Sequence, residues 1–286
     1  MDIVLATCRG KPELTPGDEL LATELRRRGA TVTAIPWDAI DTGIAGTVCL
    51  RSTWDYHRRW PDFRSWIESF AGRSILWNPP ETVLWNADKT YLRSLAEGGV
   101  ALPRTRWVEA GERPDCAAIL RHWNTEYAVL KPRVSATAYG THLISAHSPI
   151  EESAWPPLET AGSLLQAFVP EVRISGETSL VFIDGSFSHG IRKRPTAGDY
   201  RVQADFGGSW EPIIAPTALR RFADFVLGVL AHAWIYARVD VVDTADGPVL
   251  MELELIEPDL FLTAAPQAAA SLAEALMTRA SRAAAA

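Results

Sequence analysis

Two glutamates occupy alternate positions of an otherwise apolar segment near the C-terminus, "PVLMELELIEPDLFL". Because side chains on a strand alternate between its two faces, Glu252 and Glu254 share one face. A third carboxylate, Glu257, follows just beyond the segment's last alternating position. Neighbouring carboxylates that are shielded from water raise each other's pKa or require a cation between them. This spacing therefore predicts a cation site.

A predicted hairpin brings a further carboxylate to this patch. The runs "ARVDVV" and "VLMELE" both alternate and flank a turn signal at residues 246–247. Folding the strands about that centre places Asp240 opposite Glu252, to within one register step. With Glu254 they form an all-oxygen ligand set that suits Mg²⁺, or alternatively Mn²⁺, and two ions bridging phosphates would account for the charge density. The alternative interpretation is a solvated strand whose carboxylates pair with Arg238.

Lysine is scarce in this chain, and two of the lysines stand where a phosphate could bind. The four lysines are Lys11, Lys89, Lys131 and Lys193. Lys89 falls in the first turn of a helix that Asn86 is predicted to cap, where backbone N–H groups attract anions. Lys131 ends the strand "YAVLKP" and points toward a small, polar loop at residues 133–140, in which Ser135 could approach phosphate oxygens. The alternative for each lysine is an ordinary solvated position.

Length and composition bound the fold and exclude several classes of protein. The chain has 286 residues, 47% of them hydrophobic, and a net charge of −7, which disfavours nucleic-acid binding. We expect no disulfide framework or zinc site from its 3 cysteines, no membrane span and no signal peptide, hence a cytoplasmic protein. The pattern of elements predicts an α/β fold in three parts: an α/β domain over residues 1–80 and α+β subdomains over 81–160 and 161–286.

The N-terminal domain offers a candidate substrate site. Open parallel sheets bind ligands beyond the C-terminal ends of their strands, and "LRSTWDY" lies at one such end. Arg51 could pair with a substrate carboxylate through its two-pronged guanidinium, although an ordinary packing role is equally open. The predicted substrate-contacting residues are Arg51, Ser52, Thr53, Asp55 and Tyr56.

An ordered series of short motifs resembles the ATP-grasp superfamily, which includes D-alanine:D-alanine ligase, glutathione synthetase and RimK-like ligases. The series runs "NADK", "VLKP", "QAFV", "GE", "RVD" and "ELE", and it covers roughly residues 78–266. Within the superfamily, "RSTWDY" and "LMELELIEPDLFL" are most similar to the subgroup containing the ligase that closes the D-cycloserine ring. The resemblance implies that the two α+β subdomains clasp ATP.

The resemblance also implies roles for individual residues. Lys89 and Lys131 would contact ATP phosphates, Gln166 with the backbone of Phe168 and Val169 would meet the adenine edge, and Glu177 would hold the ribose. The predicted nucleotide-contacting set is Lys89, Lys131, Ser135, Gln166, Phe168, Val169 and Glu177. The predicted metal ligands are Asp240, Glu252 and Glu254, although the family commonly has Asn at the position of Glu254. The predicted catalytic cations are Arg238, Lys131, Arg192 and Arg201, the last in a lid over residues 195–208.

The implied chemistry is the joining of a carboxylate to an amine-type nitrogen. The carboxylate of an amino-acid-like small molecule first takes the γ-phosphoryl group of ATP, and the nitrogen then attacks the acylphosphate. The two groups could belong to two molecules or to one molecule that closes a ring. Two alternatives remain open at this point: a kinase-like enzyme that stops at phosphoryl transfer, and a nucleotide-binding protein without turnover. The sequence also leaves a homodimer open.

Overall fold

The computed structural model of the chain describes residues 1–41, 43, 46–73, 75–148 and 150–285. Within these ranges the strands form three sheets, of four, five and four strands. Helices cover the sheets, so the predicted α/β fold with α+β subdomains is confirmed. No helix in the described ranges is long and apolar enough to cross a lipid bilayer.

The first sheet is parallel and has the strand order β2-β1-β3-β4. Its strands are β1 (Asp2–Thr7), β2 (Thr31–Pro36), β3 (Thr47–Leu50) and β4 (Leu76–Trp77). Helices α1 (Pro16–Arg27) and α2 (Trp60–Glu68) connect the strands. Thr15 caps α1, because its hydroxyl accepts a hydrogen bond from the Asp18 N–H at 3.1 Å. Arg51 follows the end of β3 and contacts the carbonyl of Pro258, so this end of the sheet lies against the C-terminal part of the chain.

The second sheet is antiparallel, in the order β5-β8-β6-β7. Its strands are β5 (Thr105–Val108), β6 (Tyr127–Pro132), β7 (His142–Ser145) and β8 (Ser163–Ala167). Two helices precede it, α3 (Pro80–Ala87) and α4 (Tyr91–Glu97), and two more cover it, α5 (Cys116–Trp123) and α6 (Trp155–Thr160). Since β8 pairs with β5 and β6, a boundary after residue 167 fits this sheet better than the predicted division at residue 160.

The third sheet is antiparallel and carries the predicted carboxylates. Its order is β11-β10-β9-β12-β13. The strands are β9 (Glu177–Ile183), β10 (Ser186–Arg194), β11 (Ser209–Ile213), β12 (Tyr236–Thr244) and β13 (Gly247–Glu254). Its helices are α7 (Glu171–Ile174), α8 (Thr217–Gly228) and α9 (Pro266–Ala285). The hairpin predicted from the turn signal at residues 246–247, β12–β13, is confirmed, and β9 and β10 form a second hairpin.

Buried contacts fix the first sheet to the third. Helix α9 packs on α1 in one apolar core that includes Leu21, Leu25, Leu272 and Leu276. The hydroxyl of buried Tyr236 in β12 lies 2.8 to 3.1 Å from the carbonyls of residues 50, 77 and 256. One phenol therefore bridges β3, β4 and the segment that follows β13, which sets the position of the N-terminal domain against the carboxylate-bearing strands.

One predicted helix differs in its position. Asn86 does not cap a helix; it lies near the end of α3, and its side chain donates to the Leu253 carbonyl at 2.8 Å and accepts from the Leu255 N–H at 2.8 Å. Lys89 consequently lies in the turn between α3 and α4 instead of in a first helical turn. The amide of Asn86 satisfies backbone groups just beside the "ELE" motif, and tertiary pairing of this kind overrides a local capping signal.

Candidate active site

A cavity of about 400 Å³ lies between the second and third sheets and opens toward the first. Its walls include β6, β8, β9, β10, β12 and β13 together with residues of the "RSTWDY" loop. All four lysines of the chain line it: Lys11, Lys89, Lys131 and Lys193. The scarcity of lysine thus carried information, because the chain keeps its compact ammonium groups on the wall of one cavity.

The predicted carboxylate register is confirmed. Asp240 lies directly opposite Glu252, and a bulge begins just after that pair, between Asp240 and Val241. Asp240, Glu252 and Glu254 all line the cavity. Alternation places Glu252 and Glu254 on this face and Leu253 in the apolar core behind. The bulge, which leaves Met251 out of the pairing, turns Leu250 into the same core.

Each of these carboxylates is paired with a cation. Glu252 lies 2.8 Å from the ammonium of Lys89, and Asp240 lies 2.9 Å from both Lys193 and Arg238. Glu254 forms a short ion pair with Arg238. Asp240 also accepts a hydrogen bond from the Ser179 hydroxyl at 2.6 Å, so both of its oxygens are engaged. The site is therefore a compact array of alternating charges.

The array separates the pKa values of its carboxyl groups. Burial raises the pKa of Glu254 to about 7; the charges of Glu252 and Asp240 add to this against the opposing charge of Arg238. For Asp240, burial is outweighed by Arg238 and Lys193, which hold its pKa below the usual range. Lys89 and Lys131 likewise outweigh burial and lower the pKa of Glu252. Burial also lowers the pKa of Lys131 to about 8.

The donor chemistry suits a hard divalent cation, but the carboxylates are not yet gathered around one point. In the described ranges, no three acidic, histidine or cysteine side chains are close enough to form a complete metal site. Glu252 engages Lys89 through Oε1, and Glu254 engages Arg238 through Oε1. Carboxylate oxygens are the ligands that Mg²⁺ prefers, so these residues fit the ion once those cations turn to another anion. Asp240 could bind the ion only if one of its present partners, Ser179, Lys193 or Arg238, moved away.

The remaining nucleotide-site residues that were predicted also line the cavity. Ser135, Gln166, Phe168, Val169 and Glu177 belong to its wall. The Lys89 ammonium donates to the Ser135 carbonyl at 2.8 Å, which holds Lys89 against the loop after β6. The Phe168 N–H donates to the Tyr127 carbonyl at 3.1 Å, so that donor is already used within the protein.

The segment predicted as a lid, residues 195–208, contributes Tyr200 and Arg201 to the cavity wall. Tyr200 packs edge-on against Phe168, with ring centroids 6.1 Å apart. Arg201 lines the cavity, is paired with Asp199 at 2.8 Å, and lies over the ring of Phe206 at 3.6 Å. These contacts place a flat, aromatic and cationic surface at the end of the cavity near Phe168.

The structure corrects the prediction for Arg192. Adjacent residues of a strand point to opposite faces, and it is Lys193 that faces the cavity. Lys193 lies 2.6 Å from Glu177 and 2.9 Å from Asp240, whereas the Arg192 guanidinium donates to the Ser175 carbonyl outside the cavity. Lys193 is therefore the residue of this strand end that enters the site.

Most of the predicted substrate loop is structural. Arg51 is buried and forms an ion pair with Asp18 at 2.7 Å, and it also donates to the Pro258 carbonyl at 3.1 Å. Ser52 and Thr53 are fully buried, and Asp55 accepts a hydrogen bond from the indole of Trp37 at 2.8 Å. Of the five residues, Tyr56 alone lines the large cavity; Arg51 lines a separate pocket of about 150 Å³.

Lys11, Trp54 and Glu257 are among the cavity residues to which the sequence patterns assigned no role in the site. Lys11 lies over the Trp54 ring, 4.7 Å from its centroid. The Trp54 indole donates to the Glu257 carbonyl at 3.3 Å. The rarity of lysine pointed to Lys11, and the three closely spaced glutamates pointed to Glu257, but neither signal indicated which residues would face the cavity.

Three comparisons with known proteins, by family model, by sequence and by structure, find the same relative. Residues 3–78 match the family model for the N-terminal domain of D-cycloserine synthetase DcsG. The cycloserine biosynthesis protein DcsG of Streptomyces lavendulae is 29% identical over 276 residues, covering 89% of this chain and 90% of that protein. The crystal structure of D-cycloserine synthetase DcsG superposes with a TM-score of 0.83 and 28% identity, covering 98% of this chain and 99% of that one. Over nearly its whole length the chain is therefore similar to D-cycloserine synthetase DcsG, in sequence and in structure.

More distant structures show that the chain has the ATP-grasp fold. A RimK domain ATP-grasp protein from Sphaerobacter thermophilus has a TM-score of 0.66 at 18% identity, covering 97% of this chain and 100% of that one. D-alanine–D-alanine ligase from Bacillus anthracis has a TM-score of 0.66 at 14% identity, covering 99% and 98%. The resemblance inferred from the motifs is confirmed, and neither the kinase-like nor the non-catalytic alternative is favoured.

Proposed function

We propose that this ligase uses ATP and Mg²⁺ to activate the carboxylate of an amino-acid-like small molecule and joins it to an amine-type nitrogen, releasing ADP. The observation that carries the proposal is the cavity in which Asp240, Glu252 and Glu254 face all four lysines. A triphosphate is the ligand that needs both groups, because lysines bind its oxygens and the carboxylates hold its counter-ions.

Different residues of the cavity would contact the phosphates, the base and the ribose of the nucleotide. Lys89 and Lys131 would bind phosphate oxygens, since both are nearly enclosed and Lys131 has no ion-pair partner within the described residues. Phe168 and Tyr200 offer apolar surfaces for a flat base, with Gln166 and the backbone of Val169 at its edge. Glu177 stands near enough to Lys193 to be held in place for a ribose hydroxyl.

Glu252 and Glu254, with Asp240, would hold Mg²⁺, and an ion bound there would offset the charge that develops on the transferred phosphoryl group. We propose two ions, with Mn²⁺ able to replace Mg²⁺. The chain's own part is an exchange of partners: Lys89 leaves Glu252 for a phosphate oxygen, and Arg238 leaves Glu254 for the phosphorylated carboxylate. After each exchange the cation would pair with an anionic oxygen of the ligand and the carboxylate with the metal ion, so no charge would be left without a partner.

The acceptor nitrogen can belong to the same molecule as the carboxylate. Similarity to D-cycloserine synthetase favours ring closure within one amino acid and a place in antibiotic biosynthesis. A cytoplasmic location, the absence of nucleic-acid or membrane partners, and a homodimer that the sequence leaves open belong to the same proposal.

The test is ADP release from ATP and Mg²⁺ in the presence of α-amino acids, including several that carry a second, terminal nitrogen. A stimulated rate with a product lighter than its substrate by one water supports ring closure, and a condensed product of two molecules supports intermolecular ligation. A stable phosphorylated amino acid, or no stimulation by any amino acid, would refute the proposal. The Glu252→Gln variant serves as the inactive control.

A further inference from the structure

One buried carboxylate in the cavity lacks a cation. Of the other carboxylates that line it, Asp205 and Asp259 are exposed to solvent. The remaining four are paired: Glu177 and Asp240 with Lys193, Glu252 with Lys89, and Glu254 with Arg238. The side chain of Glu257 lines the same cavity and is 8% exposed. Across residues 1–41, 43, 46–73, 75–148 and 150–285, no other side chain forms an ion pair or a hydrogen bond with its carboxylate.

The segment that carries Glu257 is held rigidly by its backbone. Trp54 donates to the carbonyl of Glu257 at 3.3 Å, and Arg51 donates to the carbonyl of Pro258 at 3.1 Å. Arg238 donates to the carbonyl of Asp259 at 3.1 Å. Three consecutive carbonyls are thus bound by side chains from the loop after β3 and from β12, while the Glu257 carboxylate is bound only by its own backbone N–H within the described residues. A fixed backbone with a free side chain is the arrangement of a preorganised binding group.

Burying a charged carboxylate without a cation costs free energy, and this cost raises the pKa of the group. Burial raises the pKa of Glu257 to about 8, with Glu254 adding to the effect. A cation brought by a ligand would remove that cost and gain a charge-assisted hydrogen bond. The missing cation therefore belongs to the ligand.

The covalent geometry of an α-amino acid supplies a cation at the required place. In the proposed reaction the substrate carboxylate lies beside Glu252 and Glu254. The ammonium nitrogen of an α-amino acid is about 2.5 Å from its carboxyl carbon, so it must lie beside the same patch. Glu257 follows Glu254 by three residues and lines the cavity next to Trp54, on the side of the N-terminal domain.

We propose that Glu257 binds the α-ammonium group of the amino-acid substrate and thereby selects substrates whose amino group is unmodified. The inference rests on the proposed function and deepens it, because it selects one class among the small carboxylates. The Trp54 indole holds the backbone of Glu257 in place. Lys11 lies over the Trp54 ring and places a positive charge near this subsite, where a further anionic group of the substrate could bind.

The test compares the α-amino acid that gives the fastest ADP release with its N-acetyl derivative. Wild type should prefer the free amine by about 10- to 100-fold in kcat/KM, the worth of one charge-assisted hydrogen bond. In Glu257→Gln this preference should vanish through a higher KM for the free amino acid, and Glu257→Asp should restore part of it. Affinity for Mg·ATP, measured by calorimetry, should stay within about twofold of wild type, and so should both readouts in the exposed control Glu274→Gln.

The outcomes separate the two proposals. If wild type is stimulated by amino acids and Glu257→Gln keeps the preference for the free amine, the ammonium site is refuted while the ligase function stands. If Glu257→Gln weakens Mg·ATP binding as strongly as it raises the KM, Glu257 serves the nucleotide site and the inference fails. If no amino acid stimulates wild type, the proposed function and this inference fall together.

Discussion

Removing the charge of Glu257 should stabilise the ligand-free protein at slightly alkaline pH. Burial raises the pKa of this carboxyl to about 8, against an ordinary value of 4.5. Between these pH values the folded chain keeps a proton that the unfolded chain has released. The folded form is therefore favoured by this group below pH 4.5, and that stability is lost as the pH rises to 8.

The size of the effect follows from the width of that window. Each pH unit within it lowers the free energy of unfolding by about 1.4 kcal/mol, so the ceiling is about 5 kcal/mol. The cavity opens to water, which relieves part of this, and an unpaired buried polar group typically costs about 1–3 kcal/mol. We expect Glu257→Gln to raise the free energy of unfolding by about 2 kcal/mol at pH 8 and to leave it unchanged near pH 4.5.

Urea unfolding followed by tryptophan fluorescence measures this difference directly, since the chain has 11 tryptophans. Wild type, Glu257→Gln and the exposed control Glu274→Gln would be unfolded at both pH values without nucleotide or metal. A variant that is less stable than wild type at pH 8 would mean that the carboxylate has a cation partner after all. An equal difference at both pH values would mean that the effect is not electrostatic.

Three further substitutions test other parts of the site. Glu252→Gln should lower amino-acid-stimulated ADP release by about 100-fold or more, because a metal ligand is worth several kcal/mol of charge stabilisation; near-normal release would contradict the metal assignment. Lys131→Met should weaken Mg·ATP binding in calorimetry by at least about 10-fold through loss of a charge-assisted hydrogen bond, and unchanged affinity would remove Lys131 from the phosphate site. Arg51→Met should destabilise the fold by about 3–5 kcal/mol in urea because Asp18 is left buried and unpaired; a stable variant that has lost only activity would return Arg51 to a substrate role.

Local patterns determined much of the fold and of the carboxylate patch. Period-2 alternation on either side of the turn at 246–247 was sufficient to place Asp240 opposite Glu252, because a hairpin's register follows from its turn and its buried face. The choice of lysine over arginine at four positions also carried over directly, since all four line the cavity. The predicted helix capping by Asn86 was wrong, because its amide forms hydrogen bonds with the backbone of Leu253 and Leu255 instead.

Only the tertiary structure decided how the charges pair. Arg51 was a plausible ligand residue by position, but Asp18, from the start of α1, neutralises it in a buried ion pair. Lys193 rather than Arg192 enters the cavity because the β9–β10 register turns that face inward. Spacing along a chain fixes which side chains share a face, whereas the partner of a buried charge comes from residues far away in sequence. The sequence therefore determined where the carboxylates cluster. The packing of the three sheets determined which of them pair with a cation, and among the described residues it leaves the buried Glu257 carboxylate without one.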